Sequence, residues 1–279
     1  MTAAPEVEIL RLRSHDGLDL AVRHWPATAP QRWTFVVAHG LGEHAGRYRR
    51  FAAWFGARGV EVYAIDHRGH GMSGGPRGHA PSQAALLDDL DQVVTLATTH
   101  GGAKPVLVGH SMGGLIAIAY ALAHPDSIQC AVFSAPALMV KQRLPFWMRW
   151  LQPVHHVLPR LTVPNNLDVR TLSRDPAVVE AYGADPLVHD QVSARLGAVT
   201  MGQGEALIAR AGEVRVPFLL LQGGDDGLVD PQGSERFFAG ATAPGRAFHV
   251  YPGLYHEIFN EPEQARVYQD ILDWLNQQG

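Results

Sequence analysis

Gly109-His110-Ser111-Met112-Gly113 is the segment of this 279-residue chain best suited to chemistry. The apolar run Pro105-Val106-Leu107-Val108 leads into it. The small-residue pattern Gly113-Gly114-Leu115-Ile116-Ala117-Ile118-Ala119-Tyr120-Ala121 leads out. A strand that turns directly into a helix presents the side chain at the turn, and flanking glycines avoid the clashes a Cβ would make. The side chain presented is Ser111. A serine hydroxyl is a weak nucleophile at neutral pH. It needs a base to take its proton and a third group to orient that base. The pattern therefore predicts acyl transfer through Ser111, with a histidine and an acid supplied from elsewhere.

The strand–serine–helix arrangement is the G-x-S-x-G elbow of α/β-hydrolases, in which the acid and then the histidine follow the serine along the chain. After Phe218-Leu219-Leu220-Leu221 comes Gln222-Gly223-Gly224-Asp225-Asp226-Gly227-Leu228-Val229-Asp230. Asp226, at the turn of this loop, is the favoured acid, and Asp225 is its competitor. Asp230 precedes Pro231 and a helical pattern, so it reads as a helix N-cap. The strand pattern Ala247–Tyr251 is followed by Pro252-Gly253-Leu254-Tyr255-His256-Glu257, and His256 is assigned as the base. His249 lies within the strand and reads as a packed or surface side chain.

Acyl transfer builds negative charge on a carbonyl oxygen, which preorganised N–H groups stabilise. The N–H of Met112 opens a helix, where the helix dipole adds positive potential. A second donor is expected from His39-Gly40-Leu41-Gly42-Glu43-His44, after the strand Phe35–Ala38, and is assigned to Leu41. This chemistry calls for no metal and no cofactor. H-E-x-x-H and the phosphate-binding G-x-x-x-x-G-K-S/T are both absent.

Positioning these groups takes a particular framework. Val7–Leu12 and Leu18–Arg23, separated by Asp16-Gly17, read as an antiparallel hairpin. Continuous apolar runs at Trp33–Ala38, Val60–Ile65, Val106–Val108, Ile128–Phe133 and Phe218–Leu221 suit strands buried on both faces of a parallel sheet. Helical patterns lie between them at Tyr48–Ala57, Ser82–Thr99 and Met112–Ala123, and an amphipathic helix, Glu263–Asn276, closes the chain. Alternating strands and helices predict an α/β fold: a mostly parallel central sheet with helices on both faces. The alternation breaks between Pro136 and Arg215, which reads as an inserted helical cap. Residues 1–136 and 205–279 form the expected core, and 137–204 the cap.

Composition narrows the classes. A net charge of −4 argues against broad binding to nucleic acid. The single cysteine, Cys130, sits in an apolar run and reads as a small buried residue. No basic-then-apolar leader and no long apolar span is visible, so the expectation is a cytoplasmic protein, peripheral at most to a membrane surface.

Several segments together resemble the monoacylglycerol lipase and lysophospholipase group of serine hydrolases. They are His39–Tyr48, Asp66-His67-Arg68-Gly69-His70-Gly71-Met72-Ser73, Gly109–Gly114, Leu172–Pro176 and Asp185–His189. The resemblance implies a triad of Ser111, Asp226 and His256 with oxyanion donors Leu41 and Met112, agreeing with the assignment from order. It implies that Glu43 and Arg47 lie near the polar end of the substrate; a salt bridge is the other reading of that pair. Asp66–Ser73 reads as a structural turn. The tryptophan-rich stretch Leu144–Leu151 departs most from the group's pattern.

Apolar residues at Leu138-Met139-Val140, Leu144–Leu151 and Val157-Leu158 would favour an acyl tail of medium or long length, at up to ~0.8 kcal/mol per buried methylene. The same residues could instead cement the cap to the sheet, and Phe146, Trp147 and Trp150 could touch a membrane surface. The expected partner is a small lipid ester, with monoacylglycerol first. Lysophospholipase or general carboxylesterase activity is the alternative, with Arg47 or Arg77 to meet a phosphate. Peptidase, acyltransferase and a non-catalytic lipid-binding role stand further behind.

Overall fold

The computed structural model describes residues 7–141 and 154–278. In chain order the strands are β1 (Glu8–Arg13), β2 (Asp19–Trp25), β3 (Trp33–Ala38), β4 (Val60–Ile65), β5 (Val106–His110), β6 (Cys130–Ser134), β7 (Thr162–Pro164), β8 (Gln191–Ser193), β9 (Phe218–Gly223) and β10 (Ala247–Tyr251). The helices are α1 (Arg49–Gly56), α2 (Gln83–Gly101), α3 (Met112–Ala123), α4 (Val154–Val157), α5 (Pro176–Ala184), α6 (Ala194–Val199), α7 (Gly204–Ala209), α8 (Pro231–Gly240) and α9 (Gln264–Leu275). Eight strands form one sheet in the order β1-β2-β4-β3-β5-β6-β9-β10. The β1–β2 hairpin joins antiparallel, and every pairing from β4 to β10 is parallel.

The continuous apolar runs resolve into two faces. Along β3, Val36 and Ala38 join the core under α2 and α3, while Phe35 and Val37 face α1 and α9. Along β9, Phe218 and Leu220 take the first side and Leu219 and Leu221 the second. A two-residue side-chain period in a sheet covered on both sides requires apolar residues at every position. Cys130 is buried, and burial pushes its thiol pKa up to about 12.

Parallel pairing places the carboxyl ends of the central strands on one edge. Ala38 of β3 is opposite Gly109 of β5, and His110 is opposite Ser134 of β6. The loops after β3, β5, β9 and β10 therefore emerge together, as in other open α/β sheets.

The chain between β6 and β9 is not wholly helical as expected. It contains the antiparallel pair β7–β8, each strand three residues long, besides α4 to α7. Three residues are too few for alternation to register as a pattern. Leu138 is buried in the core, whereas Val157 and Leu158 are 77% and 56% exposed. Leu144–Leu151, with Phe146, Trp147 and Trp150, lies outside the described residues. The Asp66–Ser73 segment is a hydrogen-bonded turn. Asp66 accepts from the N–H groups of Ala45 at 2.7 Å and Met72 at 2.8 Å.

Candidate active site

Ser111 stands between the last residue of β5 and the first of α3, with φ 55° and ψ −117°. A non-glycine residue held there is strained, and such strain clusters at functional turns. The neighbouring glycines allow it. A Cβ on Gly109 would lie 2.4 Å from the Gly113 carbonyl oxygen, and one on Gly113 would lie 2.1 Å from that of Ala38. Those neighbours are backbone and cannot rotate aside. Gly113→Ala is thus expected to push α3 off β3, at a cost of about 3 kcal/mol and a fall of about 10 °C in Tm. Thermal unfolding followed by circular dichroism checks it; an unchanged Tm would contradict the packing described.

The acid and the histidine meet. His256 Nδ1 donates to Asp226 Oδ2 at 2.8 Å, and both side chains are buried. Asp226 Oδ1 accepts from the N–H groups of Leu228 and Val229, each at 2.9 Å. Oδ2 also accepts from the Gln222 amide at 2.9 Å, and Gln222 Oε1 accepts from the Ser234 hydroxyl at 2.8 Å. Burial alone would raise the Asp226 pKa. The His256 charge and these hydrogen bonds outweigh it and hold the carboxyl below its ordinary range. Asp225 is exposed. Asp230 caps α8, its carboxylate accepting from Gln232 N–H. His249 on β10 is part-exposed, with Nδ1 3.9 Å from Asp270.

Burial would likewise lower the His256 pKa. The Asp226 carboxylate, with Glu257 and Glu43 behind it, reverses this and sets the pKa above the ordinary 6.5. The Asp226 contact keeps the proton of neutral His256 on Nδ1 and leaves Nε2 as the acceptor. The His110 ring lies 4.8 Å from that of His256, and burial with the His256 charge pushes its pKa down to about 3.

Leu41 lies in the loop after β3. The Gly40 N–H is already engaged by Glu43 Oε1 at 2.7 Å, so the following amide, that of Leu41, is the one to consider. His39 Nε2 accepts from the His67 N–H at 3.0 Å, which fixes the His39 proton on Nδ1. That Nδ1–H donates to the Gly40 carbonyl at 2.7 Å. Carbonyl and N–H point oppositely across a planar trans peptide, so anchoring the Gly40 carbonyl aims the Leu41 N–H the other way. A Cβ on Gly40 would sit 3.3 Å from Ser111 Cβ, so this loop passes close to the serine.

Leu41, Ser111, Met112 and His256 line one cleft. Its apolar wall is Ala137, Val140, Leu172, Met201, Leu228 and Val229. The chain between β6 and β9 closes it through backbone bonds: Glu257 N–H to Leu172 carbonyl at 2.8 Å, and His189 N–H to Gly42 carbonyl at 2.9 Å. Glu43 and Arg47 pair with each other at 2.8 Å. Arg47 also pairs with Glu257, a residue that the sequence reading did not single out. Gln222 and His39 also went unassigned. Only a polar residue at the end of an apolar strand could have signalled them.

Residues 29–263 match the family Hydrolase_4, described as serine aminopeptidase, S33. The chain is 37% identical to a monoacylglycerol lipase of Mycolicibacterium smegmatis, over 93% of each chain. Among solved structures it is similar to Paleococcus ferrophilus monoacylglycerol lipase, with a TM-score of 0.84 and 35% identity over 98% of this chain and 100% of that one. It is also similar to a soluble variant of Saccharomyces cerevisiae monoglyceride lipase in complex with a substrate analogue, with a TM-score of 0.88 and 25% identity over 100% and 97%. A cleft at the carboxyl edge of the sheet, an elbow serine and similarity along nearly the whole chain converge: this protein is an α/β-hydrolase of the Hydrolase_4 family, related to monoacylglycerol lipases.

Proposed function

We propose that the protein hydrolyses monoacylglycerols through an acyl-enzyme on Ser111, with residues 137–204 acting as a cap. The observation that carries this reading is the His256–Asp226 pair at 2.8 Å, opening with Ser111 onto one cleft that has an apolar wall. Ser111 Oγ attacks the ester carbonyl as His256 Nε2 takes its proton. The carbonyl π electrons move onto oxygen, which accepts from the N–H groups of Leu41 and Met112. On collapse, the C–O bond to glycerol breaks and His256 returns the proton to the leaving alcohol. Water, deprotonated by His256, then releases the fatty acid. The apolar wall suits the acyl tail, at up to ~0.8 kcal/mol per buried methylene. The monoacylglycerol lipases among its relatives support the same substrate class.

No described helix is long and apolar enough to cross a membrane. Val157, Leu158 and Leu161, in the segment between β6 and β9, expose apolar surface, which suits transient contact between a cytoplasmic enzyme and a lipid surface.

The test is a panel of monoacylglycerols of increasing chain length against lysophospholipids of the same lengths. The expected result is kcat/KM rising with acyl length and favouring the glycerol ester. Faster turnover of lysophospholipids, or no dependence on length, would overturn the substrate assignment.

The acid–base reading also fixes the sign of the pH dependence. His256 must be neutral at Nε2 to accept the serine proton, and its carboxylate neighbours favour the charged form. kcat/KM is expected to fall on the acid side through an apparent pKa above 6.5, measured with an uncharged ester. An acid limb centred well below 6.5 would contradict the arrangement.

A further inference from the structure

A buried ion cluster adjoins His256. Glu257, the next residue, accepts from Arg47 at both carboxylate oxygens: Nη1 to Oε1 at 2.6 Å and Nη2 to Oε2 at 2.7 Å. Asn260 Nδ2 donates to the same Oε2 at 2.9 Å. Arg47 Nη1 also donates to Glu43 Oε2 at 2.8 Å. Glu43 Oε1 in turn accepts from the Gly40 N–H at 2.7 Å and the Tyr48 hydroxyl at 3.1 Å. An unbroken run of charge-assisted bonds thus leads from the histidine loop to the residue before Leu41.

Stability alone is a poor reason for such a cluster. Removing ions from water costs several kcal/mol each, and well-packed apolar replacements of similar volume are often as stable. Its placement says more. The cluster sets two carboxylates against one guanidinium beside a base that must become cationic during attack. The charges acting on His256 are those of Asp226 from the loop after β9, Glu257 on its own loop and Glu43 from the loop after β3; the His110 ring at the end of β5 lies 4.8 Å away, and Arg47 pairs with both glutamates. Tyr182 of α5 lies with its ring 4.6 Å from the Arg47 guanidinium, and the Lys141 amine donates to the Asp226 carbonyl at 2.5 Å.

We propose that Glu257 is a positioning residue for hydrolysis: through Arg47 and Glu43 it ties the loop of His256 to the loop of Leu41, and it sets a carboxylate beside the imidazolium that forms as Ser111 attacks. This rests on His256 being the base and Leu41 an oxyanion donor.

Glu257→Gln removes the charge and keeps an acceptor for Arg47. The plateau kcat is expected to fall about tenfold with KM nearly unchanged, and the acid limb to move to lower pH. The ratio of kcat/KM at pH 6 to its plateau value then rises about threefold. Glu257→Asp keeps the charge but shortens the reach, so its plateau falls while the acid limb stays. If Glu257→Gln does not fold by circular dichroism, Glu43→Gln removes a charge at the other end of Arg47 and must move the limb the same way. An acid limb that stays put in the folded charge-removing variant, or plateau rates equal to wild type in both Glu257 variants, overturns the proposal. Failure of the wild type to show Ser111-dependent hydrolysis overturns the underlying reading instead.

Discussion

Ser111→Ala is expected to lower kcat for monoacylglycerol hydrolysis by on the order of 10⁵ to 10⁶, with the fold intact. Without Oγ there is no acyl-enzyme, and His256 has no serine proton to take. The Met112 and Leu41 amides remain, so a small residual rate over water survives through polarisation of the carbonyl. The backbone at 111, with φ 55°, is held by bonds that alanine keeps: Ser111 N–H to the Ser134 carbonyl at 3.0 Å, and Ala137 N–H to the Ser111 carbonyl at 3.1 Å. A fluorophosphonate probe gives the second readout. Wild type should label and Ser111→Ala should not. Equal labelling, or a kcat within tenfold of wild type, would end the nucleophile assignment.

Asp226→Asn should cost about 10⁴ in kcat with little change in KM. The reason lies in the donors around this carboxylate. Oδ1 faces the N–H groups of Leu228 and Val229, and Oδ2 faces the Gln222 amide and His256. The backbone N–H groups of Leu228 and Val229 are fixed donors, whereas Gln222 can flip its amide, the Ser234 hydroxyl rotating from donor to acceptor. An asparagine is therefore held with its oxygen toward Leu228 and Val229. Its NH₂ then drives His256 to carry the proton on Nε2, where it cannot accept from Ser111. The exposed Asp225 is the control, and Asp225→Asn should stay within about twofold of wild type. Comparable losses at 225 and 226 would mean that the loop, and not the carboxylate, matters.

Much of this site was legible because its chemistry is local. The elbow needs glycines at fixed offsets from a serine, and the acid and histidine need strand ends, so Ser111 and His256 could be proposed from position, and the acid narrowed to Asp226 with Asp225 as its competitor. The strands were legible because sheet burial on both faces leaves unbroken apolar runs. β3 and β4 span the residues that their runs mark. Long-range partnership was not legible. Nothing near Arg47 points to Glu257, 210 residues away, because an ion pair leaves no periodic trace. Gln222 and His39 were missed for a related reason: each acts through hydrogen bonds whose partners only the fold brings near. Leu41 was reachable as a loop position, but the aim of its N–H comes from His39 and His67, which only the fold brings together.

The packing of α9 bears on how the protein comes into being. Tyr268 of this last helix sits 5.4 Å from Phe51 and 5.6 Å from Phe55, ring to ring, so the final turns of the chain complete the core laid down by α1. His256 lies just before that helix, 145 residues after Ser111. On the proposed assignment, Ser111, its glycines and the Leu41 loop are synthesised well before His256, while the face shared by α1 and α9 is still covered by α1 alone. A chain that stops short of His256 is therefore expected to be inactive toward esters. On that assignment hydrolytic competence waits for the segment from His256 through α9 to dock, and contacts of such sequence separation are the slow ones to form.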